Sequence, residues 1–238
     1  MLKDIQHLAK IASKDERVII GLMSGTSLDG LDIALCRLTG TGRDTKAVLQ
    51  EFATVPYDDV YRARISAVFS KHDVDLELVC LLNPYVATEH ARFILQQLAD
   101  WGIKPEDVDL IASHGQTIYH APISLHKKTE FPNATLQLGD GDHMALATNI
   151  MTISDFRQKH IAAGGEGAPL AAYGDYLIFS SEEENRVLLN IGGIANITFL
   201  PKSLNTRDVF STDIGPGNTI MDAYIRKHFA GKLYDADA

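Results

Sequence analysis

Apolar runs separated by glycine-rich and polar turns dominate the start of the chain. Residues 17–23 (RVIIGLM) and 31–38 (LDIALCRL) lie on either side of the turn 24–30 (SGTSLDG), so they predict two strands joined by a glycine-rich hairpin. Residues 47–55 predict a third strand. Before them, residues 1–17 mix charged and apolar positions and predict a short amphipathic helix.

Longer stretches with apolar side chains at helical spacing follow. Asp58 and Asp59 are placed to cap a helix that runs to about residue 69. Residues 73–101 predict a longer helix, and Pro84 within it allows a kink or a division into two helices.

The middle of the chain returns to short apolar runs. Residues 108–113 (VDLIAS) predict a strand that ends in a polar loop, 114–117 (HGQT), as a parallel strand does when it delivers side chains to a site. Residues 135–139 and 150–153 predict two more strands. Residues 154–170 are too rich in glycine for a regular element, and we interpret them as a functional loop.

The pattern of strand, glycine turn and strand at the start of the chain recurs late in the sequence. Residues 187–200 contain an apolar run, a glycine turn and a second apolar run, which predicts two related lobes. We place the lobes at residues 1–150 and 151–238, with the boundary within residues 148–169. An α/β protein results.

Composition indicates a folded, water-soluble chain that binds small ligands. Among 238 residues, 45% are hydrophobic and 22% are charged, as in ordinary globular proteins. The net charge of −9, with no run of lysine and arginine, argues against nucleic-acid binding. An acidic chain still binds ATP when backbone N–H groups and a metal ion hold the phosphates.

The cysteines and the N-terminus favour the cytoplasm. Cys36 and Cys80 fall in a predicted strand and a predicted helix, which favours buried, reduced thiols. The first residues lack the apolar core of a signal peptide and no stretch predicts a membrane span. Four histidines lack the spacing of zinc ligands: His120, His126, His143 and His160.

The first glycine turn has the composition of a phosphate site. Backbone N–H groups, hydroxyls and carboxylates that suit a triphosphate are supplied by Ser24, Gly25, Thr26, Ser27, Leu28, Asp29, Gly30, Leu31 and Asp32. The turn is not a Walker A loop, because Leu31 and Asp32 stand where lysine and a hydroxyl residue are required. Taken alone, an ordinary hairpin and a phosphate site explain it equally well.

The second glycine turn gains meaning from the first. Alone, Gly192 and Gly193 are more typical of a tight structural bend. Two such hairpins from two lobes could close on one triphosphate, with Asn196 among the candidate ligands.

Four further residues are candidates for chemistry. Asp213, before Gly-Pro-Gly and a predicted helix at residues 218–229, is either a rigid general base or the cap of a turn, and position alone favours the cap. His114 and Gln116 suit a polyhydroxylated ligand, and Arg157 suits a carboxylate, although structural contacts are the commoner role for each.

Six blocks together resemble, in order and spacing, the anhydro-N-acetylmuramic acid kinase family of the sugar-kinase/Hsp70/actin superfamily. The blocks are GLMSGTSLDGLD (21–32), SHGQT (113–117), LQLGD (136–140), DFR with AAGGEGAPL (155–157 and 162–170), NIGGIANIT (190–198) and DIGPGN (213–218). The resemblance extends over residues 18–235 and implies a two-lobed ribonuclease H-like fold of the actin/hexokinase type. The nucleotide would lie between the lobes, with one glycine hairpin from each.

The resemblance also implies a reaction. Such a kinase opens 1,6-anhydro-N-acetylmuramic acid with water and phosphorylates it from ATP to N-acetylmuramic acid 6-phosphate, in cell-wall recycling in the cytoplasm. By resemblance Asp213 is the catalytic base, and His114, Gln116 and Arg157 contact the sugar, with Arg157 near its lactyl carboxylate. Gly215, Gly217 and Asn218 join the nucleotide site. Mg²⁺ is expected with ATP, with Asp29 as its candidate protein ligand, and the resemblance suggests a homodimer.

Two departures from the family pattern matter. His160 stands where the family usually has aspartate, and family members continue well past residue 235, so the second lobe is expected to be incomplete. The alternative function is therefore a truncated fragment that binds phosphates without turnover. A kinase for another sugar and an actin- or Hsp70-like ATPase are further alternatives, and the blocks SHGQT and GGEGAPL count against the ATPase.

Overall fold

The computed structural model describes residues 2–232. The chain forms two compact units, Met1–Ala168 and Pro169–Ala238. Residues 233–235, the last part of the family resemblance, lie outside the described residues. Each unit has its own sheet.

The first unit combines six strands with helices in an α/β arrangement. Its elements are α1 (Leu2–Ala12), β1 (Glu16–Ser24), β2 (Gly30–Thr39), β3 (Lys46–Pro56), α2 (Asp59–Ser66), α3 (Leu76–Asp100), β4 (Leu110–Ala121), α4 (Ile123–His126), β5 (Ala134–Leu138), α5 (Gly141–Thr148), β6 (Thr152–Ser154) and α6 (Phe156–Ala162). Short 3₁₀ turns lie at Gly42–Asp44 and Pro105–Asp107. The predicted N-terminal helix and the first three predicted strands are confirmed.

The sheet of the first unit is mixed. Its strand order is β3-β2-β1-β4-β5, and β6 pairs with β4. β1, β2 and β3 form an antiparallel meander, whereas β4 runs parallel to β1 and to β6. β5 returns antiparallel to β4. β4 is therefore the central strand that connects the hairpin side of the sheet to the α6 side.

Apolar side chains at alternating positions of the strands build the core. Ile20 of β1 and Ile33 of β2 are fully buried, together with Ile111 of β4, and they pack in one cluster with Val86 and Ile94 of α3. Burial of apolar surface at about 25 cal/mol per Å² is the main stabilising contribution to such a layer. The long helix α3 thus fixes the sheet from one face.

Side-chain caps start the two central helices. Asp58 accepts a hydrogen bond from the N–H of Tyr61 at 2.7 Å, which confirms its predicted role as the cap of α2. Asp75 accepts from the N–H of Glu77 at the start of α3. α3 continues through Pro84 without a division into two helices.

Three sequence predictions are wrong. Residues 114–117 are not a loop but the middle of β4, where Gly115 has a φ of +72° and a Cβ would lie 2.6 Å from the carbonyl oxygen of Leu138. Residues 154–170 are not wholly irregular, because α6 occupies Phe156–Ala162. Cys80 is exposed rather than buried, and both cysteines are free thiols.

The second unit is smaller. It contains α7 (Ala172–Phe179), β7 (Arg186–Ile191), β8 (Ile194–Leu200), a 3₁₀ turn at Thr206–Asp208, β9 (Phe210–Pro216) and α8 (Asn218–His228). The three strands form an antiparallel sheet in the order β7-β8-β9. The hairpin of β7 and β8 and the helix from residue 218 are confirmed, whereas α7 was not predicted.

Candidate functional site

The first glycine turn, residues 25–29, joins β1 to β2 and exposes polar groups at its tip. Thr26 and Ser27 are exposed. The carboxylate of Asp29 accepts hydrogen bonds from the Ser27 hydroxyl at 2.7 Å and from the N–H of Gly30 at 3.0 Å. Gly30 has no room for a side chain, because a Cβ would lie 2.6 Å from the carbonyl oxygen of Val55. The turn is therefore closely packed at its β2 end and open at its tip.

Consecutive N–H groups of this turn are available to a ligand. Within residues 2–232, the N–H groups of Thr26, Ser27 and Leu28 donate no hydrogen bond. Leu28 has a φ of +56° and buries its side chain in the core, with 7% exposed. A left-handed residue within a turn directs neighbouring N–H groups towards one side, which is the geometry of an anion-binding nest. The tip of the first turn thus has three consecutive N–H groups without an acceptor in residues 2–232.

The candidates on either side of the first turn are interior residues. Ser24 and Gln116 are almost completely buried, and the Ser24 hydroxyl donates to Gln116 Oε1 at 2.5 Å. Leu31 is part of the core. Asp32 accepts a hydrogen bond from the Thr54 hydroxyl at 2.6 Å. These side chains support the turn, and their direct contact with a ligand stays a prediction.

His114 and Arg157 meet although 43 positions separate them in the chain. Arg157 Nε donates to His114 Nε2 at 2.9 Å, and Arg157 Nη1 donates to the carbonyl oxygen of Gly167 at 2.5 Å. His114 Nδ1 lies 2.8 Å from the carbonyl oxygen of Gly115 and donates to it. The ring is therefore the neutral Nδ1–H tautomer, and it accepts from the guanidinium. β4 and α6 bring these two sequence candidates together.

Burial and charge explain the ionisation of this pair. Burial lowers the pKa of His114 to about 4, and the positive charge of Arg157 adds to the effect. Burial also lowers the pKa of Arg157. Near neutral pH the pair carries a single positive charge, on the guanidinium, which suits an anionic group.

The glycine-rich segment after α6 is fixed by side chains from three places. The N–H of Gly167 donates to His160 Nδ1 at 3.1 Å, and Asn133 Nδ2 donates to the carbonyl oxygen of Gly165 at 3.0 Å. His160 therefore has a structural contact with the glycine-rich segment. Asp155, which precedes α6, has a φ of +60°, and burial raises the pKa of its carboxyl group.

The second turn, Gly192 and Gly193, is bonded to the start of α8. The N–H groups of Gly217 and Asn218 donate to the carbonyl oxygens of Gly193 and Gly192 at 2.9 and 2.7 Å. A Cβ on Gly217 would lie 2.3 Å from the Gly192 oxygen, so only glycine fits there. The N–H of Gly192 donates to Ile194. Much of the backbone of this turn therefore bonds within the second unit.

Asp213 lies within β9 and not after it. It pairs across the sheet with Asn196 of β8, and its side chain is exposed. Within residues 2–232 the carboxylate has no hydrogen-bond partner. Gly215 has a φ of +146° and follows a register shift between Ala195 and Asn196. β9 thus presents the Asp213 carboxylate to solvent.

Sequence reasoning did not single out the buried polar residues behind the first turn. The Tyr57 hydroxyl lies 2.7 Å from Ser24 Oγ and 2.9 Å from His90 Nε2. No motif marks them, because the contacts join residues 33 positions apart in the chain.

The described part of the chain has neither a group of side chains that could hold a metal ion nor a helix that could span a membrane. Residues 2–232 contain no group of three histidine, cysteine, aspartate or glutamate side chains that could hold a metal ion. None of the helices described is long and apolar enough to cross a membrane.

Comparison with known proteins gives consistent matches. A family model described as anhydro-N-acetylmuramic acid kinase matches residues 17–238. Curated proteins of that name are 61% identical in Pseudoalteromonas atlantica and 41% identical in Caldanaerobacter subterraneus, over 100% and 98% of this chain. In both cases the chain spans 59% of the relative's length.

Comparison with solved structures adds no argument. A cryo-EM structure of CasPhi-2 bound to crRNA aligns with a TM-score of 0.18 and 17% identity, over 67% of this chain and 27% of that one. A score this low shows no common fold.

Proposed function

The chain belongs to the anhydro-N-acetylmuramic acid kinase family, and we propose that it supplies the phosphate-binding turn and the catalytic base of such a kinase. The reaction is the opening of 1,6-anhydro-N-acetylmuramic acid by water, coupled to transfer of the γ-phosphoryl group of ATP to the 6-oxygen. The observation that carries the proposal is the first turn, with its tip N–H groups free and its ends fixed.

The first turn would bind the ATP phosphates. Phosphoryl transfer depends mainly on positioning and on neutralisation of charge, and backbone N–H groups supply both without lysine. Both hydrogen bonds to the Asp29 carboxylate go to Oδ1, so Oδ2 accepts neither of them. One such oxygen fits Mg²⁺, which is commonly held by one or two carboxylates, by phosphates and by water. Mg²⁺ bound there would neutralise phosphate charge.

Arg157 would bind the carboxylate of the sugar's lactyl group. Its Nε and Nη1 groups are held by His114 and Gly167, which fixes the plane of the guanidinium and leaves Nη2 for a ligand. A rigid fork loses little side-chain entropy on binding. His114 is then a positioning residue for Arg157, and Gln116 acts through the first turn.

Asp213 would act as the general base. A water molecule at the anomeric carbon needs a proton acceptor, and the exposed carboxylate of Asp213 on β9 would take that role. As the carbon–oxygen bridge opens, the freed 6-oxygen attacks the γ-phosphorus and ADP departs. The nucleotide contacts proposed for Gly192, Gly193, Asn196, Gly215, Gly217 and Asn218 would come from the second unit.

The wider context follows from the family. We place the two units in the two lobes of a ribonuclease H-like fold, working in the cytoplasm as a homodimer with no nucleic-acid or membrane partner. The three-stranded sheet of the second unit exposes apolar side chains, and this supports an incomplete second lobe: Val187, Leu189, Ile191, Ile194 and Phe210.

The test is ATP-dependent conversion of 1,6-anhydro-N-acetylmuramic acid, followed by mass spectrometry of the sugar. We expect a product heavier by one phosphoryl group (HPO₃) and one water when the chain is extended at its C-terminus to the length of its relatives. A product that keeps the anhydro ring would contradict the proposed chemistry. The second candidate, phosphate binding without turnover by the 238 residues alone, is favoured by their 59% coverage of the relatives.

A further inference from the structure

A chain of buried hydrogen bonds runs from the first turn into the core. Gln116 Oε1 accepts from Ser24 Oγ at 2.5 Å, Ser24 Oγ lies 2.7 Å from the Tyr57 hydroxyl, and that hydroxyl lies 2.9 Å from His90 Nε2. The Tyr61 hydroxyl contacts the same nitrogen at 3.1 Å. None of the five side chains is more than 2% exposed. Buried polar groups of this kind are costly unless each finds a partner.

The chemistry of the groups fixes the direction of the bonds. Since the Ser24 proton is donated to Gln116, the Tyr57 hydroxyl must donate to Ser24. The Tyr57 oxygen then accepts from His90, which is the Nε2–H tautomer. His90 Nδ1 has no partner among residues 2–232, and burial lowers the pKa of His90 to about 3, so the ring is neutral. The protons of His90, Tyr57 and Ser24 therefore all point from α3 towards β4.

Tyr57 holds the first turn at both ends. Its hydroxyl bonds to Ser24, immediately before the turn, and its N–H donates to the carbonyl oxygen of Asp29, the last residue of the turn, at 3.1 Å. Gln116 Nε2 adds a bond to the carbonyl oxygen of Gly25 at 3.2 Å. These bonds leave the N–H groups at the tip unused. The hydrogen bonds of Tyr57 and Gln116 therefore hold the two ends of the turn and not the N–H groups of its tip.

We propose that Tyr57 and His90 are positioning residues that hold the first turn in the shape that binds the ATP phosphates. The proposal rests on the proposed function of that turn. His90 orients the Tyr57 hydroxyl, Tyr57 fixes Ser24 and Asp29, and the tip N–H groups converge on one anion. Without this support the turn must be ordered by the nucleotide itself, and that cost weakens binding.

The core supplies a matched control. Tyr57 and Tyr61 are each 2% exposed, their rings stack at 3.9 Å, and both hydroxyls contact His90. Only Tyr57 bonds to Ser24 and Asp29. Tyr57→Phe and Tyr61→Phe therefore remove the same atom from the same core, and only the first removes a bond to the turn.

The experiment is calorimetric titration of Mg·ATP, and of inorganic tripolyphosphate as a probe of the phosphate end, in the C-terminally extended protein and in the 238-residue chain. We expect Tyr57→Phe to bind both probes about three- to tenfold more weakly, the effect of one lost hydrogen bond. Tyr61→Phe should bind them as the wild type does, with a similar loss of thermal stability. Adenosine affinity should not change in either variant.

A rescue series guards against misfolding. His90→Gln keeps an N–H donor close to the Nε2 position and should retain most of the phosphate affinity, whereas His90→Leu should lose it as Tyr57→Phe does. Equal phosphate affinity of Tyr57→Phe and Tyr61→Phe at temperatures where both are folded would overturn the inference while leaving the kinase proposal intact. Absence of phosphate binding by the wild-type forms would overturn both. If the variants change phosphate affinity as expected but the wild-type protein does not phosphorylate the sugar, the inference is supported and the proposed substrate is contradicted.

Discussion

At the scale of single residues, His114 shows how burial controls ionisation next to a charged group. It accepts a hydrogen bond from Arg157 and cannot accept a proton without losing that bond. Its pKa is lowered from 6.5 to about 4. Between pH 4 and 6.5, His114 is therefore protonated in the unfolded chain and neutral in the folded chain.

This difference predicts how stability depends on pH. A lowered folded-state pKa contributes stability that is present above pH 6.5 and is lost as the pH falls towards 4. Within that interval His114 should contribute a slope of about 1.4 kcal/mol per pH unit to the free energy of unfolding. His114→Gln keeps an acceptor for Arg157 and removes the titration. Denaturant unfolding of both proteins should show stabilities that diverge above pH 4, and parallel curves would contradict the assignment of the ring as neutral.

Asp213 is the residue on which the proposed chemistry depends. Asp213→Asn keeps the size and removes the base, so turnover of the extended protein should fall on the order of a hundredfold or more. ATP affinity should stay close to the wild-type value. Glu183→Gln, an exposed change in the same unit, is the control for altered surface charge. Turnover near the wild-type rate in Asp213→Asn would remove this residue from the mechanism.

At the scale of elements, substitutions at two glycines of the first hairpin should have different effects, one on nucleotide affinity and the other on stability. A Cβ at Gly25 would meet only Ser27 Oγ at 3.5 Å, whereas a Cβ at Gly30 would lie 2.6 Å from the Val55 oxygen. Gly25→Val should therefore fold normally and lose nucleotide affinity, because its side chain crowds the phosphates. Gly30→Ala should lower the midpoint of thermal unfolding. Calorimetric ATP titration with Mg²⁺ and thermal melts check both, and unchanged ATP affinity in Gly25→Val would make the turn an ordinary hairpin.

The sequence predicted those elements whose signal is local. β1 and β2 bury apolar residues between clear turns, and Asp58 marks a helix start with its own side chain. Residues 114–117 were misjudged because polar residues usually indicate loops. In β4 they are buried, and Ser24 and Arg157 satisfy Gln116 and His114 from distant parts of the chain.

Short helices were the other failure. α6 has only seven residues, in a glycine-rich setting that hides its period. α7 has only eight residues and no side-chain cap. Tyr57 and His90 carry no sequence signal, since their importance arises from packing between β3, α2 and α3.

At the scale of the whole molecule, the chain represents 59% of the length of its curated relatives. The first unit contains a large buried core, and the three-stranded sheet of the second unit exposes apolar side chains, including Leu189 and Phe210. We expect the adenine and ribose contacts to come from residues other than those of the first turn. We therefore expect the 238 residues alone to bind ATP weakly and to show little or no turnover, because remote contacts position the γ-phosphate. Side-by-side titration and assay of the short and extended proteins check this, and equal affinity and turnover would show that the active centre lies wholly within the 238 residues.

The most direct measurement of the central claim is the ATP-dependent phosphorylation of 1,6-anhydro-N-acetylmuramic acid by the extended protein, with the sugar product identified by mass spectrometry. We predict that the extended protein forms a ring-opened sugar 6-phosphate together with ADP. The Asp213→Asn variant should form almost none of this product. ATP binding with no sugar product, or a phosphorylated sugar that retains its anhydro bridge, would contradict this prediction.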